Sequence, residues 1–223
     1  MRLLTGHWQL WLLGIAVVLF WQTPYLLPLK LLVVFFHEAA HALMTVVTGG
    51  EVVRLDLSAG QGGTVISRGG NRFAILNAGY LGSLLAGVLL LMAAARSRAD
   101  RTVMGGLGLL VLLLAALYIR TGFALIFALG TGAAMLAAAR FLSHTVNDLI
   151  LRLIGLTSII YVPLDIFSDT IARSALNSDA RMLAQEFGGT TQLWGVIWLV
   201  ISALVIGWTL RHLMRRSSNV IPR

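Results

Sequence analysis

The chain has 223 residues, 58% of them hydrophobic and only 12% charged, with a formal charge of +8. A soluble domain carries about 25% charged residues, so this composition excludes an ordinary soluble protein and belongs to the membrane class. Cysteine is absent, which excludes disulfides and thiolate metal sites and leaves imidazole, carboxylate or other oxygen ligands.

A spanning helix needs about 20 mostly apolar residues. Apolar runs occur at about Trp8 to Trp21, Leu26 to Val47, Phe73 to Ala95, Val103 to Tyr118, Gly122 to Ala139, Leu149 to Ile166 and Leu193 to Leu210. The first lacks the small-residue cleavage site of a signal peptide and reads as a retained span. The fourth is short and the fifth is interrupted by glycine, so the pattern predicts six to seven spans. Between the second and third, Glu51 to Leu57 alternates in character, Gly60-Gln61-Gly62-Gly63 makes a turn, and Thr64 to Ser67 follows. That is a β-hairpin signal. Asn177-Ser178-Asp179 before Ala180 to Phe187 predicts a capped short surface helix.

Small residues recur in the third run (Gly79, Gly82, Ser83, Ala86, Gly87) and the fourth (Gly105, Gly106, Gly108), as close helix packing in lipid requires. The basic residues Arg96, Arg98, Arg101, Arg140, Arg211, Arg215 and Arg216 sit between and after apolar runs. There they meet anionic headgroups, so the expected partner is the lipid bilayer and no nucleic acid. With seven spans and the N-terminus outside, these residues would face the cytoplasm. The expected architecture is an all-α polytopic membrane protein with a small β-hairpin. It forms a single transmembrane domain over 1–223, with a core of about 26–169 and an extra C-terminal helix of about 193–210.

The chemistry lies in His37-Glu38-Ala39-Ala40-His41. The H-E-x-x-H spacing puts two imidazoles on one helix face, where both reach one metal ion. Glu38 then stands beside the water that a zinc ion would acidify and is the candidate general base. With five His and three Glu in the chain, chance yields the motif about one or two times in a thousand. It is also flanked by Leu31 to Phe36 and Ala42 to Met44, deep in a span. A carboxylate there costs about 2.5–3.5 kcal/mol to insert, and such residues face a partner or a watery cavity.

Catalytic zinc usually takes three protein ligands. Of the nine acidic residues, Glu51, Asp56, Asp100, Asp179 and Glu186 read as loop, and Asp148 starts a span. Asp165 and Asp169 remain, four residues apart on one helical face. Ser168 or Asp169 could instead cap a helix beginning near Thr170, so Asp165 is preferred as third ligand with Asp169 as the alternative. His7, His144 and His212 sit at span ends or in loop, and Asn77 serves either an oxyanion or a helix–helix hydrogen bond.

Phe36 to Ala42 inside an apolar helix, the glycine-rich hairpin after it, Asn77-Ala78-Gly79-Tyr80-Leu81-Gly82 and the later Pro163-Leu164-Asp165 resemble the site-2 proteases, intramembrane zinc metallopeptidases. The resemblance spans roughly Leu26 to Asp169 and is closest to the compact bacterial branch. It implies one zinc per chain held by His37, His41 and the aspartate, with Glu38 as general base. It also implies a bacterial cell-membrane location, a membrane-protein substrate, and a hairpin that holds substrate as an added strand. The chain departs from the family's second motif, which reads asparagine, proline and Asp-Gly. Ile166 follows Asp165 here, Thr157 and Ser158 stand where the asparagine is expected, and no peptide-binding or nucleotide-binding insert is present. The expected activity is hydrolysis of peptide bonds in or next to transmembrane segments. The alternative is a non-proteolytic metal-binding membrane scaffold or transporter.

Overall fold

A computed structural model describes residues 5–219. Helix α1 (Trp8–Leu19) leads through a 3₁₀ turn at Pro24–Leu26 into α2 (Leu27–Val47), and strands β1 (Glu51–Leu57) and β2 (Gly63–Arg68) follow. Next come α3 (Arg72–Arg96), α4 (Asp100–Tyr118), α5 (Gly122–Phe141) and α6 (His144–Phe167). A π turn at Ser168–Ala172, a short α7 (Asp179–Phe187) and α8 (Thr191–Leu213) complete the order.

Among the described residues, six helices are long and apolar enough to cross a bilayer: 24–47, α3, α4, α5, 144–172 and α8. The chain is therefore an integral, multi-pass membrane protein. The expected seventh span is α1, which has 12 residues. Its rise is about 18 Å, short of a hydrocarbon core of about 30 Å. The apolar run Trp8 to Trp21 overstates it because the backbone leaves the helix at Phe20 and turns through Pro24.

Side-chain caps set several boundaries. Asn71, Ser143, Ser178 and Thr190 each accept a hydrogen bond from the backbone N–H three residues on, at the starts of α3, α6, α7 and α8. The spans divide into a centre and a rim. About six-tenths of the most apolar stretch of α2 and of α6, and half of α3, is buried within the protein, against 22% for α4, α5 and α8. The small residues foreseen in α3 make the close contact in that centre. Gly87 packs against Ser158 and Gly155 of α6, and Ser158 Oγ donates to the Ser83 carbonyl at 2.8 Å.

The hairpin is the antiparallel pair the sequence predicts, in register from Glu51↔Arg68 to Leu57↔Gly63 with one bulge between Val52 and Arg54. Val52, Leu55 and Leu57 are buried. The outer edge of β1 is tied down, because Leu55 bridges Ile119 and Thr121 Oγ1 donates to Asp56 Oδ1. The α4–α5 turn thus covers part of that edge, while β2 lines a cavity of about 540 Å³ with Gly63, Thr64, Val65 and Ser67.

Candidate metal centre

The apolar residues before the H-E-x-x-H motif bury α2, and His37, Glu38 and His41 open into the cavity. His41 Nδ1–H donates to the Ile75 carbonyl at 2.7 Å, which fixes its tautomer and turns Nε2 toward His37. The two Nε2 atoms are 2.9 Å apart. Asp179 Oδ2 completes a triangle, 3.0 Å from His37 Nε2 and 3.2 Å from His41 Nε2.

Among the described residues, His37, His41 and Asp179 are the group whose donor atoms all lie within 4.8 Å of one another. The triangle fits a zinc ion: ligands 2.0–2.1 Å from a tetrahedral centre lie about 3.3 Å apart. Backbone geometry agrees. A Cβ on Gly79 of α3 would overlap both imidazole Nε2 edges, so this position must be glycine for the rings to converge. Gly79→Ala is expected to weaken zinc binding by at least about tenfold in a competition titration. Gly106→Ala, where a Cβ meets open space, is expected to leave it unchanged.

The carboxylate at the imidazoles is thus Asp179, and the expected Asp165 and Asp169 lie in the same cavity outside that group. Both are engaged elsewhere. Asp165 faces Tyr161, one turn earlier on α6. Asp169 accepts from Tyr80 at 2.8 Å and pairs with Arg173 at 2.7 Å. No new helix starts at Thr170; α6 runs into the π turn, and the chain folds back to seat α7 over the cavity.

Sequence reasoning read the α7 helix and its cap but missed the burial of its first residue. Asp179, Ala180 and Leu183 are buried. The available signal was the apolar stripe Ala180, Leu183, Ala184 and Phe187, which marks a docked face rather than a solvated helix. Burial alone would push the Asp179 carboxyl up. The two imidazoles that face it outweigh that push and favour its ionised form.

Glu38 is 5% exposed and lies against Gly63, the first residue of β2, where a Cβ would overlap its carboxylate. The glycine turn therefore admits the acid as well as reversing the strand. Asn77 makes the helix–helix bond, accepting from Trp198 Nε1 at 2.9 Å. His7 sits outside the centre, with Nδ1 2.7 Å from Ser218 Oγ.

The fold and the centre define a multi-pass membrane protein with a buried H-E-x-x-H helix, an aspartate closing on it as third donor, and a β-hairpin forming one cavity wall. The model of the Peptidase M50B-like family matches residues 10–209. The chain belongs to that family, a branch of the site-2 proteases, and is by membership an intramembrane metallopeptidase of a zinc-dependent class. No curated protein and no solved structure matches the chain.

Proposed function

We propose that this chain is a zinc endopeptidase that hydrolyses peptide bonds in or next to transmembrane segments, with one zinc held by His37, His41 and Asp179. The observation that carries this reading is the 3 Å triangle of Nε2, Nε2 and Oδ2 atoms with Glu38 beside it in the same cavity. Zinc, when bound there, supplies Lewis acidity, lowering the pKa of water and polarising a carbonyl.

Glu38 takes the proton from the attacking water and delivers it to the leaving amine. His41, held by Ile75, keeps Nε2 aimed inward throughout. The free edge of β2 holds the substrate as an added strand beside Glu38, while Ile119 bridges the opposite edge of the hairpin. A helical substrate must first unwind, because its own turn shields each amide, so glycine or proline near the cut eases cleavage. Metal retention needs the ligands alone, and Glu38 in the cavity therefore favours hydrolysis over a scaffold or transporter.

The full chain, purified and returned to vesicles, is expected to carry one zinc and to cut tagged membrane-helix reporters, more readily when they contain glycine or proline. Chelation stops the cleavage and added zinc restores it. Zinc-free protein, or cleavage that survives chelation, would overturn the reading.

A further inference from the structure

His37 and His41 are held in different ways. His41 is anchored from behind by the Ile75 carbonyl, whereas both hydrogen bonds of His37 among the described residues use Nε2, the atom facing the triangle. The His37 ring therefore depends on packing for its orientation. Its neighbour is Tyr80, edge-on with ring centroids 4.6 Å apart and planes at 84°.

Tyr80 is itself clamped at both ends. Its hydroxyl donates to Asp169 at 2.8 Å, and its ring rests on Trp198 of α8, centroids 5.1 Å apart. Trp198 is fully buried on the inward face of a helix that is mostly exposed, and its Nε1–H is fixed by Asn77 Oδ1. The Asn77 amide is in turn fixed by the Phe73 carbonyl at 2.9 Å. Gly195, one turn before Trp198, lets α8 come this close, since a Cβ there would overlap the Thr170 side chain.

We propose that Trp198, on the last span, is a positioning residue for His37, acting through the Tyr80 ring, so that α8 belongs to the metal-binding machinery. An aromatic stack of this kind transmits position because its rings are rigid and their edge-to-face geometry is preferred. Partners that orient a metal ligand from behind are worth about 10–100-fold in metal affinity. The inference rests on the reading of His37 as a metal ligand.

Cobalt(II) bound to the purified full chain tests it, because its visible d–d bands report coordination geometry independently of activity. Wild type is expected to give an intense tetrahedral spectrum. Trp198→Leu is expected to bind cobalt at least about tenfold more weakly with a displaced band. Leu204→Ala, on the outward face of α8 at 69% exposure, is expected to match wild type. Trp198→Phe, which keeps a ring but loses the bond to Asn77, falls between. If Trp198→Leu does not fold, Trp198→Phe decides: a displaced band on a folded protein supports the relay, and a wild-type band overturns it. Trp198→Leu with wild-type affinity and spectrum also overturns it. A wild type with no tetrahedral spectrum instead overturns the metal reading itself, so the two failures are distinct.

Discussion

Glu38→Gln is expected to keep its zinc and lose peptide cleavage by about 10²–10⁴-fold, the usual contribution of a positioned general acid–base. The amide matches the carboxylate in size, so it fits the narrow space that Gly63 leaves. It cannot accept a proton from water, however, and has none to return. The imidazoles and Asp179 keep their positions because Ile75, Tyr80 and Gly79 hold them, not Glu38. Metal content measured beside single-turnover cleavage separates the two effects. Activity that persists in the glutamine variant would remove Glu38 from the mechanism, and zinc lost together with activity would make it a structural acid.

The second large effect concerns the third ligand. Asp179→Asn is expected to weaken zinc by more than about 100-fold, beyond the cost of losing an outer partner. The amide oxygen is a poor substitute for an anion shared by two imidazole nitrogens at 3.0 and 3.2 Å. Asp165→Asn is expected to retain zinc, because its carboxylate lies outside the donor triangle. Asp169→Asn is expected to retain it too, because the amide oxygen still accepts from the Tyr80 hydroxyl and only the ion pair with Arg173 is lost. Zinc measured on the three purified variants decides the matter. Loss in Asp165→Asn with retention in Asp179→Asn would return the third position to α6.

The contrast shows what a linear sequence carries. His37, Glu38 and His41 were legible because one helix fixes their spacing, and the spans were legible because each is a run of about 20 mostly apolar residues, enough to cross the hydrocarbon core. The hairpin at Glu51–Leu57 and Gly63–Arg68 was legible from alternation and a glycine turn. Asp179 was not, since its place depends on a turn after α6 and on where a nine-residue helix docks, and that helix's apolar stripe marks a docked face without naming its partner. Asp165 attracted the reading by elimination among the acids, yet in the folded chain it lies in the cavity outside the donor triangle. Likewise α1 matched a span in composition but not in helical length. Trp198 drew no notice in the sequence, because the run Leu193 to Leu210 is apolar throughout and its inward face is set by what it meets.

The donor triangle closes between residues 142 positions apart. During synthesis at about 5–20 residues per second, the H-E-x-x-H helix would emerge some 7–30 s before its third donor. For that interval the nascent chain carries two imidazoles and a base without the acid that completes the set. On the proposed ligand set, the chain can hold its metal tightly only after Asp179 has been made and folded back over α2. A chain stopped before Asp179 is then expected to be inert.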